Sequence, residues 1–456
     1  MRPAAIELND AGIAVVAGRE LVGVSPGYVL PGREPPLVGD AARALARIEP
    51  LTVNHTFWSD LSQEPLRTRS AAGRSTADLA FLQLAQLREM LRDRADAVVI
   101  AVPASMSESQ LALTMGVAAA AELPLTGFAD AAAAAASISG AHGHVIHVDM
   151  LLHQAVVTAV EVGEVARRGR YEVVPKAGIA TLQEAWLSLI GRRFISDTRF
   201  DPLHNANDEQ ALFDALPGWL TRLASEERMD VEMSLGEDTH RISVSREELG
   251  LEAQAVLDNL VARVRRLRRA GQSSTILLSD RVGHLPGIAE RLSEFYECEI
   301  LACAPGAAAF AAAEHAPLWE GGSDATTILR SLPVLEPALV GAFAPTPVAQ
   351  ARPAAPAPPP THVLYRGQAH ALRAQPLVIG LDPGNGPDRL QVFGARAGIS
   401  RIHCSLQRSP AGAVVIDHSR YGTWLNDESV AGRAPLHAGD RLRLGSPGLM
   451  LELIAL

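Results

Sequence analysis

Residues 399–404 read Ile399-Ser400-Arg401-Ile402-His403-Cys404, and residues 418–426 read His418-Ser419-Arg420-Tyr421-Gly422-Thr423-Trp424-Leu425-Asn426. Around them lie short apolar runs, Leu377-Val378-Ile379, Ala413-Val414-Val415-Ile416 and Leu449-Met450-Leu451-Glu452-Leu453, separated by Gly, Pro, Asp and Asn. Runs this short, broken this often by turn formers, predict an all-β sandwich.

With Ile379-Gly380-Leu381-Asp382-Pro383 before them and Gly439-Asp440 followed by Arg441-Leu442-Arg443-Leu444 after them, these stretches come in an order and spacing that resemble the forkhead-associated (FHA) domain. That family recognises phosphothreonine peptides, and the resemblance spans residues 362–456. A bound phosphate needs charge-assisted hydrogen bonds. The resemblance implies that Ser400 supplies a hydroxyl and Arg401 a charge, with Ser419, Arg420 and Tyr421 in the partner-binding loops. Gly380, His403, Gly422, Thr423, Trp424 and Asn426 would hold those loops in place. Two family positions differ. The family's Gly-Arg is Gly380-Leu381 here, which removes the principal cation, and the Asn that holds the peptide backbone is Tyr421. Each hydrogen bond to a charged group is worth about 1.5–3 kcal/mol, so that loss calls for a replacement. Arg389, Arg396 and Arg420 stand in neighbouring segments as candidates.

Upstream, residues 344–361 read APTPVAQARPAAPAPPPT. Dense proline removes backbone donors and favours extended chain, so this segment is expected to be a spacer between residues 1–343 and 362–456.

Residues 1–343 alternate the two periodicities. Ala97–Val102, Val145–Asp149 and Ser274–Leu278 are continuous apolar strand signals, while Ser107–Leu123 and Leu251–Arg269 carry helical spacing that Gly271 ends. Strands apolar on both faces, alternating with helices, predict an α/β fold with buried sheets. Three stretches, Pro36-Leu37-Val38-Gly39-Asp40-Ala41-Ala42, Ile100-Ala101-Val102-Pro103-Ala104 and Leu285-Pro286-Gly287-Ile288, resemble segments of the DnaK-type chaperone nucleotide-binding domain. The implied fold is a duplicated actin-like ATPase (ribonuclease H-like) domain over residues 1–343. In that family Gly-rich hairpins cradle the phosphates, because only Gly lets the backbone approach so closely. Here the first hairpin reads Glu7-Leu8-Asn9-Asp10-Ala11-Gly12, the second Asp149-Met150-Leu151-Leu152-His153-Gln154, and the nucleoside segment Ser279-Asp280-Arg281-Val282-Gly283. Glu7, Asp10, Asp149 and Gly283 are thus expected to mark a vestigial nucleotide site, obstructed by leucines and acids. No catalytic or metal-binding set and no cofactor is expected, Mg-ATP included.

The 456 residues carry a net charge of −10, which leaves no cationic surplus for nucleic acid. The N-terminus has acids where a signal peptide needs an apolar core, and no apolar run approaches the roughly 20 residues that cross a bilayer. A cytoplasmic protein with protein partners, some of them carrying phosphothreonine, is expected. Cys298, Cys303 and Cys404 form no CxxC pair and read as buried thiols. The run Arg263, Arg265, Arg266, Arg268 and Arg269 reads as a solvated helix end. The preferred function is a non-catalytic scaffold or regulator; the rivals are a phosphothreonine reader in kinase signalling and a working chaperone-like ATPase.

Overall fold

The computed structural model describes residues 2–66, 73–235, 238–293, 295, 298–319, 328–342, 358–393, 398–410 and 412–456. The chain divides into two compact units, Met1–Val261 with Thr275–Pro345 and Ala262–Ser274 with Thr346–Leu456. Most of the expected spacer, residues 343–357, lies outside the described residues.

The first unit contains two lobes with one strand order. In the first lobe β1 (Pro3–Glu7), β2 (Ile13–Ala17) and β3 (Glu20–Ser25) form an antiparallel meander, and β4 (Ala97–Val102) runs parallel to β1 with β5 (Leu125–Asp130) beyond it. The order is β5-β4-β1-β2-β3. In the second lobe β6 (Gly143–Met150), β7 (Gln154–Val162) and β8 (Val165–Pro175) form the meander, and β9 (Ser274–Leu278) runs parallel to β6 with β10 (Cys298–Cys303) next. The order is again β10-β9-β6-β7-β8.

Alternation of side chains explains the continuous apolar strands. Ala4, Ile6, Val98 and Ile100 face one way, onto Leu79, Leu84 and Leu87 of helix α1 (Thr76–Leu91). Ala5, Val99 and Ala101 face the other way. There they meet two alanine-rich helices, α2 (Ala131–Ser137) after β5 and α3 (Ala307–Glu314) after β10. The methyl side chains let helix and sheet approach closely, and α2 and α3 pack on each other between the lobes. Asp130 caps α2, accepting the Ala133 N–H at 3.0 Å. The helical signal over Leu251–Arg269 is in fact two helices, Arg246–Glu252 and Gln254–Leu267, because Ser245 starts the first with a reciprocal capping box with Glu248. Among the described residues no helix is long and apolar enough to cross a membrane.

The second unit is an all-β sandwich. One sheet has β11 (His362–Tyr365), β12 (Gln368–Ala371), Thr423–Leu425, Arg441–Leu444 and Leu449–Ile454; the other has β13 (Leu377–Gly380), Arg389–Gln391, β14 (Cys404–Ser409), β15 (Gly412–Asp417) and Arg433–Leu436. Alternate residues, Ala413 and Val415, Leu442 and Leu444, Leu451 and Leu453, enter the shared core. Residues 262–274 belong to this unit, and within it Arg268 is buried and pairs with Glu428 at 2.6 Å. That corrects the expectation of a fully solvated arginine run: the long stem of Arg268 is buried and its charge is offset by a carboxylate.

Candidate functional site

In the second unit the loops after β13, before β14 and after β15 converge on His403. Its ring is fully buried. Nδ1 accepts the Ser400 N–H at 3.1 Å, so Nε2 carries the proton and donates to the Gly422 carbonyl at 3.1 Å. Burial lowers the His403 pKa below the ordinary imidazole range, which keeps this neutral tautomer. Its own N–H donates to Ile379 O, and its carbonyl accepts the His418 N–H. Side chain and backbone of one residue thereby tie the segments at Ile379, Ser400 and His418–Gly422 together.

Gly380 sits where a Cβ would lie 1.9 Å from the Arg401 carbonyl. The close approach lets Leu381 N–H and Asp382 N–H reach the carbonyls of Ser400 and Arg401 at 3.2 and 3.0 Å. The Leu381 side chain packs against the sandwich core, so at the family's cation position this chain has a core residue instead.

Ser400 is half-buried, and its Oγ accepts the backbone N–H of Arg420 at 3.2 Å. The hydroxyl proton stays available for another acceptor. Arg401 and Arg420 are exposed and make no ion pair among the described residues. Asp417 accepts the Thr423 hydroxyl at 2.7 Å and the Ser419 N–H at 3.0 Å. That leaves the Ser419 Oγ buried and without a partner, so Ser419 is turned away from the surface where it was expected to contact a partner. Tyr421 and Ile402 are 60% and 50% exposed, one in each of the two loops joined at Ser400 and Arg420. Asn426 lies in the turn at φ +50°, donating to Asp440 at 2.7 Å and accepting the Arg441 N–H at 2.9 Å. Of the candidate replacement cations, Arg389 lines a separate groove with Gln375, Pro376 and Asn385. Arg396 lies outside the described residues. Of Arg389 and Arg420, Arg420 is the one that meets Ser400, through its backbone N–H.

In the first unit, Glu7 and Asp149 share a cationic partner that the sequence reading missed. Arg281, just past β9, places Nη1 at 3.0 Å from Glu7 and 3.1 Å from Asp280, with Asp149 at 4.0 Å, and donates through Nη2 to Gly12 O. Burial raises the Glu7 pKa more than Arg281 lowers it; Asp149 is buried too, but Arg281 and the hydrogen bond from Asn9 hold it low. The remaining cavity among Glu7, His147, Asp149, Ser279 and Asp280 is about 10 Å³, room for about one water. Asp10 is directed elsewhere: it accepts the Leu152 N–H at 2.7 Å and the Ser59 hydroxyl at 3.4 Å. It lines a cleft of about 130 Å³ with Trp58, Ser105 and Gln154. Gly283 donates to Ser279 O within a short helix and takes no part in the cluster. Leu152 is buried, Leu151 lines the Asp10 cleft, and a guanidinium, Arg281, sits among the acids. Two buried carboxylates on neighbouring turns demand a counter-charge, and the adjacent Asp280-Arg281 was the available signal.

Cys298, Cys303 and Cys404 are free thiols. No group of His, Cys, Asp or Glu among the described residues has a metal-holding arrangement. No curated protein matches the chain. The FHA-domain family model matches residues 379–445, the stretch that contains Gly380, Ser400, His403 and Gly422. This segment of the chain is an FHA domain, a protein-interaction module.

Proposed function

We propose that this protein is a non-catalytic scaffold whose FHA loops take a phosphothreonine-containing segment of a partner, with Arg420 supplying the charge that Leu381 does not. The observation that carries this reading is the bond from the Arg420 backbone N–H to Ser400 Oγ at 3.2 Å, which brings the chain at Arg420 beside the Ser400 hydroxyl, with the exposed Arg401 next to it in sequence. A phosphate held by both arginines would gain charge-assisted bonds from each. Ser400, Arg401 and Arg420 are the phosphate contacts in this reading, and Tyr421 and Ile402 flank them as apolar contacts. Isothermal titration of the full chain with a phosphothreonine peptide library, each peptide paired with its unphosphorylated form, tests it. Binding that ignores the phosphate would favour the second reading, docking on the exposed Tyr421 and Ile402 alone.

In the first unit the reading is a pseudo-ATPase of actin-like, duplicated design. The repeated strand order and the paired alanine helices support the resemblance, and the Arg281 cluster supports the loss of hydrolysis. Pockets for small ligands occupy about 300–1,000 Å³, against about 10 Å³ beside the Arg281 cluster and about 130 Å³ in the Asp10 cleft. Titration with Mg-ATP is expected to give no binding heat.

A further inference from the structure

We propose that Arg281 is a built-in clamp that holds the two lobes of the first unit closed without any ligand. Arg281 belongs to the second lobe, at the end of β9, yet two of its partners, Glu7 and the Gly12 carbonyl, are at the β1–β2 turn of the first. Three more hydrogen bonds cross the same gap. Asn9 Nδ2 donates to Asp149 Oδ2 at 3.0 Å and to Met150 O at 3.2 Å, and Leu152 N–H donates to Asp10 Oδ1 at 2.7 Å. The turn of one meander is thus fastened to the turn of the other by side chains alone.

The chemistry favours arginine specifically. Glu7 and Asp149 are only 6% and 7% exposed, so an unpaired carboxylate there is costly. A guanidinium presents several donors in one plane and serves a carboxylate on one nitrogen and a carbonyl on another; an ammonium of the same charge lacks that fork. With about 10 Å³ left over, nothing further is needed to complete the contact. Lobe closure in this protein is therefore part of the fold, not a response to an added molecule.

Amide hydrogen exchange on the full chain tests this, comparing the wild type with Arg281→Lys and with the charge-balanced double variant Arg281→Met, Glu7→Gln. The wild type should exchange slowly over residues 8–13 and 150–154, with no change on adding Mg-ATP. Arg281→Lys should speed exchange at both turns tenfold or more and leave the hairpin Arg228–Leu235/Asp238–Ser245 unaltered. If the lysine variant fails to fold, the double variant, which leaves the net charge of the cluster unchanged, is read in the same way. Unchanged exchange at both turns in the folded variants would overturn the clamp. So would protection of the wild-type turns by Mg-ATP, since the lobes would then be closing on a ligand.

Discussion

The backbone N–H of Arg420 donates to Ser400 Oγ at 3.2 Å. This contact joins the loop before β14 to the loop after β15, and it fixes where the Arg420 side chain leaves the surface. A residue outside the family's phosphate set thereby comes to stand beside the hydroxyl that would bind phosphate, on the same frame that His403 and Gly422 hold.

Arg420→Glu should weaken phosphothreonine-peptide binding by roughly 10- to 100-fold, the equivalent of one or two lost charge-assisted bonds. Ser400→Ala should fall in the same range, while Arg389→Glu, in its separate groove, should bind as the wild type does. Fluorescence anisotropy of a labelled peptide on the full chain reads all three.

Gly380→Ala should destabilise the second unit by about 1–3 kcal/mol or more, because its Cβ would meet the Arg401 carbonyl at 1.9 Å and the backbone must shift. The measurement is the midpoint of that unit's transition in urea. An unchanged midpoint would mean that the two loops are not this close.

The buried histidines of the first unit should make acidification costly. Burial lowers His55 and His315 to about 4, below the ordinary 6.5, so the unfolded chain takes up their protons first. Their stabilisation is present above pH 6.5 and is lost as the pH falls toward about 4, at about 1.4 kcal/mol per pH unit for each. Asp130 works in the opposite sense. Burial raises it to about 6, so the folded state holds that proton more tightly and gains as the pH falls from about 6 to about 4. Glu7 and Asp10 are raised by burial as Asp130 is, and His147 is lowered, so the share of His315 is read by difference between wild-type and variant urea midpoints. His315→Gln should flatten the slope.

Thiol reactivity should separate the cysteines. Cys303 and Cys404 are buried, and burial pushes both thiols well above the ordinary range, whereas Cys298 is half-exposed. A thiolate-selective reagent added to the native chain should modify Cys298 quickly and the other two only on denaturation. Mass spectrometry of the labelled peptides counts the sites.

Much of the architecture could be read from local pattern. Ala97–Val102 and Ser274–Leu278 are strands over the expected residues, since a β-branched run covered on both faces has no competing reading. The FHA segment was legible because its glycines are set by local geometry at a fixed spacing, Gly380 by backbone contact and Gly422 by a positive φ. The sites were less legible. Arg281 meets Glu7 across 274 residues of chain, and no periodicity reports on such a pair. Ser419 next to Arg420 looks like a contact residue in sequence, but the structure buries its Oγ, a direction that neighbouring residues do not encode. Which of Arg389, Arg396 and Arg420 stands near Ser400 depends on how loops fold back, which neighbouring residues do not encode.

The most direct test of the central claim is calorimetric titration of the full chain with one phosphothreonine peptide selected from the library and with its unphosphorylated twin. Saturable binding of the phosphorylated form alone, abolished or reduced at least tenfold by Arg420→Glu, is the predicted result. Equal affinity for both forms, or full retention of binding by Arg420→Glu, would contradict it.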